Sequence, residues 1–125
     1  MTRVLFVGQQ PETVNFSDPT LPPGMNAEKI HVGIRVALKQ MAERGWHADL
    51  CLLKPDDTAG PELDQRLKAQ AYDCVVIGAG IRLLSLSMFE AVINAVHTAA
   101  PGAAIAFNTH PEDSADAAAR WLKAD

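Results

Sequence analysis

Four short apolar runs dominate this sequence, and each is followed by a segment with helical periodicity. The runs predict strands over Arg3 to Gly8, His47 to Leu53, Cys74 to Gly78 and Ala103 to Asn108. Strands that alternate with helices are typical of a parallel sheet covered by helices on both faces. We therefore predict an α/β fold: a three-layer α/β/α sandwich with a mainly parallel, four-stranded sheet.

The pattern within each run indicates its place in the sheet. Val4 to Val7 and Cys74 to Ile77 are continuously apolar, as expected for central strands that are buried on both faces. The stretch from Trp46 to Leu52 alternates between polar and apolar residues, which favours an edge position. Right-handed crossovers then predict the strand order 2-1-3-4, a flavodoxin-like winding, in a single domain over residues 1–125.

Helix boundaries follow from capping residues and from the spacing of apolar side chains. Asn26 is a good N-cap for the first helix. Ser87 and Glu90 have the spacing of a capping box, which predicts that the third helix begins there. The four predicted helices cover about Asn26 to Gly45, Pro61 to Ala71, Ser87 to Ala100 and Ser114 to Lys123.

Composition and charge limit the expected partners and location. The formal net charge is −4 and no basic run occurs, so we expect no nucleic-acid partner. No stretch approaches the roughly 18 to 20 apolar residues of a membrane span, and the N-terminal apolar run is too short for a signal peptide. We therefore expect a cytoplasmic protein with no membrane partner. Cys51 and Cys74 lie in predicted strands that the first strand separates, which predicts free thiols.

The stretch Gly78-Ala79-Gly80 is similar to the start of a dinucleotide-binding loop. The fingerprint G-x-G-x-x-G needs a third glycine, but Leu83 occupies that place. Gly78 and Gly80 are instead expected to supply the unusual backbone angles of a tight turn. Flavin binding is not expected, since Gln9 opens a proline-rich excursion where flavodoxins have a phosphate-binding loop. We therefore predict no cofactor.

In open parallel sheets, ligands bind beyond the carboxyl ends of the strands, where the winding reverses. Here that place lies beside the loops Gly8 to Asn26 and Gly78 to Leu86. Arg82 is the only arginine predicted in these loops, and a guanidinium suits a carboxylate or a phosphate. The candidate ligand-binding residues are Gln9, His31, Gly78, Gly80, Arg82 and Asn108.

Two histidines are candidates for proton transfer at the same edge of the sheet. His31 lies near the start of the first helix, and His110 follows the fourth strand. Histidine is the usual general acid or base near neutral pH. Each is a lone histidine with no metal-ligand spacing around it, so we predict no metal site.

Several stretches of the chain carry a resemblance to a known group of proteins. "LPPGMNAEKIH", "DCVVIGAGIR", "FEAVINAVH" and "IAFNT" resemble segments of short, uncharacterised bacterial proteins with a flavodoxin-like or Rossmann-like winding. The resemblance implies a compact α/β domain and no particular activity. The link Leu83-Leu84-Ser85-Leu86 departs from the longer, proline-containing link of that group.

Two functions are open at this point. The first is the binding of a small anionic metabolite at the carboxyl ends of strands 1, 3 and 4, with or without catalysis. The second is a receiver-like domain that works by contact. Gln9-Gln10 and Gly78 stand where receivers keep acidic residues, so phosphotransfer is not expected. Residues Ala103 to Phe107 would form an edge strand without lysine or proline, which favours a homodimer.

Overall fold

A computed structural model, which describes residues 1–122, contains one four-stranded parallel sheet in the order β2-β1-β3-β4. The predicted α/β sandwich and strand order are confirmed. Each strand ends within one residue of its predicted bounds: β1 is Arg3–Gln9, β2 is His47–Leu53, β3 is Cys74–Ile77 and β4 is Ala104–Phe107.

Five helices and two 3-10 turns connect the strands in the described residues. The helices are α1 Ala27–Glu43, α2 Ala59–Ala69, α3 Ala79–Arg82, α4 Leu86–Ala99 and α5 Ser114–Ala119. The 3-10 turns are Pro11–Thr13 and Pro111–Asp113. Within residues 1–122, no helix has the length and apolar character that crossing a lipid bilayer requires.

Alternate residues of the central strands pack against different helices. Leu5 and Ile77 point to the layer that contains α2 and α4, where Leu63 and Val92 are fully buried. Val4 and Val76 point to the opposite layer, which is closed by side chains of α1 and α5. Successive side chains of a strand face opposite sides of the sheet, so continuous apolar runs are what a sheet with two covered faces needs.

The region between β3 and α4 differs from the prediction. Ser85, not Ser87, is the N-cap of α4, and its Oγ accepts a hydrogen bond of 3.4 Å from the backbone N–H of Met88. The predicted capping box of Ser87 and Glu90 is therefore wrong. Both serines can cap a helix. Because Leu86 is already helical, the N-cap is the serine directly before it, Ser85. A separate short helix, α3, precedes this cap.

Two other helices have shifted bounds. α2 begins at Ala59, because Asp56 Oδ1 accepts from the backbone N–H of Thr58 at 2.9 Å and turns the chain before it. The helix ends before Ala71, which is exposed. α5 ends at Ala119, and the predicted end at Lys123 lies outside the described residues. These differences do not alter the sheet or the position of its carboxyl edge.

The two cysteines are buried and free, as predicted. β1 lies between the strands that carry them. Burial raises the pKa of the Cys51 thiol to about 11 and that of the Cys74 thiol to about 12. Thiols with such pKa values carry little thiolate at neutral pH, so they are packing residues and not nucleophiles.

Candidate functional site

A cavity of about 140 Å³ lies beyond the carboxyl ends of β1, β3 and β4. Its floor includes Phe6 of β1, and one wall is formed by Ile30 and Ile34 of α1. α3 contributes Ala79 and Gly80, Leu83 follows them, and residues of the proline-rich segment after β1 complete this part of the lining. The space is partly open to solvent, since the lining residues Leu83 and His110 are exposed. Apolar side chains make most of the lining: Phe6, Val14, Leu21, Pro22, Met25, Ile30, Ile34, Leu83 and Pro111.

Four polar residues reach this cavity: Gln9, Asn108, Thr109 and His110. Three of them follow β4 directly in the sequence. Among residues 1–122, no lysine, arginine, aspartate or glutamate lines the cavity. The lining therefore combines mostly apolar side chains with four hydrogen-bonding residues, three of which follow β4.

Asn108 ties three elements together at the cavity wall. Its side chain is almost fully buried, with 2% exposure. Its Oδ1 accepts a hydrogen bond of 2.8 Å from the backbone N–H of Ala79, and its Nδ2 donates to Ser114 Oγ at 2.9 Å. Ser114 Oγ in turn donates to the carbonyl of Pro111 at 2.7 Å. Asn108 therefore fixes the start of α3 and of α5 relative to β4, and the Ala79 N–H is already occupied.

Gly78 allows a close approach of backbone, and neither candidate glycine supplies unusual backbone angles. The φ angle of Gly78 is −69°, and within residues 1–122 positive φ angles occur only at Gly24 and Gly45. The expectation of a tight turn with unusual angles is therefore wrong. A Cβ at Gly78 would lie 3.2 Å from the carbonyl oxygen of Val7, which is tighter than ordinary packing. Gly78 thus lets α3 start directly against β1.

Gln9 lines the cavity and holds the segment that covers it. Its Nε2 donates to the carbonyl oxygen and to Oγ1 of Thr13, both at 3.1 Å. A Cβ at Gly80 would lie 3.4 Å from Gln9 Oε1, so the absence of a side chain at Gly80 leaves room for the glutamine. These two candidate residues therefore meet at the rim of the cavity.

His31 does not line the cavity. Its Nε2 lies 2.6 Å from Glu12 Oε2, on the outer side of the 3-10 turn Pro11–Thr13. The hydrogen bond with His31 lowers the pKa of the Glu12 carboxyl. The structure therefore separates His31 from His110, and the two histidines do not share one reaction site.

His110 lines the cavity with a side chain that is 58% exposed. Its Nδ1 lies 3.8 Å from Glu112 Oε1, and its Nε2 lies 4.0 Å from Asp113 Oδ2. Burial raises the pKa of the Asp113 carboxyl, but hydrogen bonds from Thr109 and His110 outweigh it, so that pKa is lowered. His110 is the only titratable residue of the lining in the described chain.

Arg82 faces away from the cavity lining. Its guanidinium carbon lies 5.7 Å from the centroid of the Phe107 ring, the distance of a cation–π contact. Its Nη1 is buried and finds no hydrogen-bond acceptor in residues 1–122. The residue predicted to clamp an anion thus contacts Phe107 of β4.

Comparison of the sequence with known proteins does not assign the chain to a family. The chain matches no protein-family profile, and no curated protein is significantly similar to it. The resemblance to short bacterial proteins therefore stays a prediction. Within residues 1–122, no group of three His, Cys, Asp or Glu side chains is placed to hold a metal ion. The cavity and its lining are therefore the features of the protein that indicate a function.

Proposed function

We propose that this protein binds a small, mainly apolar molecule in the cavity beyond β1, β3 and β4. The observation that carries the proposal is the composition of the lining, in which most side chains are apolar and three of the four polar residues follow β4. An enclosed apolar cavity of roughly 150 Å³ accepts benzene, which indicates the size of molecule that such a volume holds. A cavity of about 140 Å³ therefore suits a ligand with an apolar body of about that size.

The polar end of the ligand would lie near Thr109 and His110. The lining supports a neutral ligand better than the anionic one expected from the sequence. Arg82 contacts Phe107, and Asn108 already accepts from the Ala79 N–H. A buried anion needs a positively charged partner or a free N–H group. Arg82 does not line the cavity and the Ala79 N–H is already bonded, so neither serves this purpose. A small anionic metabolite is the alternative ligand. Probes that share a ring but differ in charge distinguish a neutral ligand from an anionic one.

We propose that the protein binds a ligand, and we do not propose a chemical reaction at this site. His110 is the only titratable lining residue in the described chain, and a proton transfer needs at least one further group to stabilise charge. We also propose a cytoplasmic location, because two free buried cysteines fit a reducing compartment.

A pair of matched probes tests the proposal. Benzyl alcohol and benzoate share a ring and differ in the charge of the polar end. With 13C-labelled methionine methyls, Met25 reports on the cavity, while Met1, Met41 and Met88 lie outside its lining. We expect benzyl alcohol to shift the Met25 signal selectively and to bind at least about tenfold more tightly than benzoate at pH 7. Tighter binding of benzoate would favour the anionic alternative, and no Met25 response to either probe would contradict the proposal.

A second candidate function is a homodimeric contact module. One observation favours it: Leu83, Leu86 and Phe107 are 51%, 74% and 37% exposed, and Phe107 belongs to the edge strand β4. Exposed apolar side chains beside an unpaired strand are typical of interaction surfaces. Sedimentation over roughly 5 to 500 µM is expected to show a monomer–dimer equilibrium that Leu86→Ser shifts to the monomer. A monomer throughout this range would remove the candidate.

A further inference from the structure

A groove of about 540 Å³ adjoins the cavity and lies between α1 and the 3-10 turn Pro111–Asp113. Four residues of the described chain line both spaces: Met25, Ile30, His110 and Pro111. The side chain of His110 is exposed, and the cavity is partly open to solvent there. The cavity and the groove therefore meet at these side chains.

α1 gives the groove an apolar side. Val32 and Val36 are one helical turn apart and line the groove together with Met25 and Ile30. Val32 is 45% exposed, and neither valine lines the cavity. The groove thus continues the apolar lining along α1 from Ile30 to Val36, a distance of about 9 Å at about 1.5 Å per residue.

The turn Pro111–Asp113 forms the second side of the groove, because it lies directly on α1. A Cβ at Gly33 would lie 2.6 Å from Glu112 Oε1 and 3.0 Å from Pro111 Cβ. Any side chain at Gly33 would therefore push the turn away from the helix. This close packing places Pro111 where it lines both the groove and the cavity.

The polar groups of the groove mostly have partners within the protein. Asn26 Oδ1 accepts from the backbone N–H of Lys29 at 2.9 Å, and Lys29 Nζ donates to a backbone carbonyl of the preceding segment at 2.7 Å. Glu112 Oε1 lies 3.8 Å from His110 Nδ1. Within residues 1–122, the remaining charged residue of the lining is Glu28, which is exposed. The surface that the groove offers to a ligand is therefore mainly apolar.

A second space beside the cavity suits an apolar group less well. It holds about 200 Å³, and its lining includes Asn15 and Asp18. Hydrogen bonds from Thr20 lower the pKa of the Asp18 carboxyl, so this group is ionised at neutral pH. An apolar chain over an ionised carboxylate would remove it from water without a partner, which is unfavourable. An apolar extension of the ligand is therefore expected in the groove along α1.

We propose that the ligand is elongated: its apolar body occupies the cavity, and an alkyl chain passes His110 and lies in the groove against Val32 and Val36. This inference rests on the proposed function, because the chain continues a ligand held in the same cavity. The polar end near Thr109 and His110 then marks the point where the chain leaves the cavity. The ligand class is a neutral compound with an apolar body, a hydrogen-bonding group and an alkyl chain.

A probe that branches at its polar end tests this geometry. The probe is benzyl alcohol with a butyl chain on the carbon that carries the hydroxyl, and we call it the butyl probe. Full burial of one methylene strengthens binding about fourfold, and a groove open on one side is expected to give about twofold per methylene. We therefore expect the butyl probe to bind about tenfold more tightly than benzyl alcohol.

Labelled methyl groups show where the chain lies. With 13C-labelled methionine and valine methyls, both probes are expected to shift Met25 and Val14, which line the cavity. Only the butyl probe is expected to shift Val32 and Val36, which line the groove and not the cavity. The methyl shifts during a titration also measure both affinities.

Val32→Asp and Ala42→Asp are matched variants, because each adds one carboxylate at an exposed position of α1. Val32→Asp is expected to reduce the preference for the butyl probe from about tenfold to about twofold or less, and to leave the affinity for benzyl alcohol unchanged. Ala42→Asp is expected to leave both affinities unchanged, since Ala42 lines neither space.

The outcomes distinguish this inference from the proposed function. If benzyl alcohol shifts Met25 but the butyl probe leaves Val32 and Val36 unshifted, the elongated ligand is wrong and the binding proposal stands. A preference for the butyl probe that survives Val32→Asp would likewise overturn the elongated ligand. If neither Met25 nor Val14 responds to benzyl alcohol, both proposals are wrong.

Discussion

Replacing Asn108 by alanine is expected to lower the free energy of unfolding by about 2 to 4 kcal/mol, the largest stability effect at the cavity wall. The substitution removes the acceptor of the Ala79 N–H, which lies in a partly buried position, and the donor to Ser114 Oγ, which is fully buried. A buried N–H without a partner costs more than the hydrogen bond that it has lost. Urea unfolding followed by circular dichroism measures the change.

Ser114→Ala is the matched comparison for Asn108→Ala. It removes one hydrogen bond with Asn108 and the bond to Pro111, and leaves the Ala79 N–H paired. Because Asn108 Nδ2 then lies buried without an acceptor, we expect a loss of about 1 to 2 kcal/mol, and a double variant whose effect is less than the sum of the two. An effect of Asn108→Ala below about 0.5 kcal/mol would contradict the structural role assigned to this amide.

Ala79→Phe is expected to weaken the binding of benzyl alcohol more than tenfold, a loss of at least about 1.4 kcal/mol of binding free energy. Ala79 lines the cavity, and a phenyl ring at this position is a benzene ring attached to the wall. Such a ring occupies the space that the ligand needs. Met25 methyl shifts during a titration report the affinity.

The control for Ala79→Phe is Ala42→Phe, which places the same ring on an exposed position of α1 that does not line the cavity. We expect its affinity to equal that of the unsubstituted protein. The thermal midpoint distinguishes a blocked cavity from an unfolded protein, because filling an existing space does not expose the core. A folded Ala79→Phe variant with unchanged affinity would show that the probe binds elsewhere.

The strands and their order could be predicted because burial leaves a direct pattern in the sequence. Val4 to Val7 is apolar throughout, as a strand covered on both faces must be, while His47 to Leu53 alternates and forms an edge. Helix ends were harder to predict. Ser85 and Ser87 are both suitable caps, and the packing of the following helix determines which of them is used.

The position of the cavity could be predicted from the rule for parallel sheets, but its chemistry could not. The sequence gives no periodic signal for Val14, Leu21 and Met25, which line the cavity from an irregular segment. Their only signal is that they are apolar residues in a polar, proline-rich stretch. Arg82 and His31 lie near the predicted edge, yet Phe107 and Glu12 are their contacts. Which side chains come into contact depends on distances in the folded chain, and these distances cannot be read from the order of the residues.

The most direct test of the binding proposal is to extract the purified protein with organic solvent and to identify the small molecules by mass spectrometry. The protein should be purified from its own cells, in parallel with the Ala79→Phe variant. We predict a neutral, mainly apolar compound that accompanies the unsubstituted protein and is depleted from the variant. The same compound in equal amount with both proteins, or an anionic compound alone, would contradict the proposal.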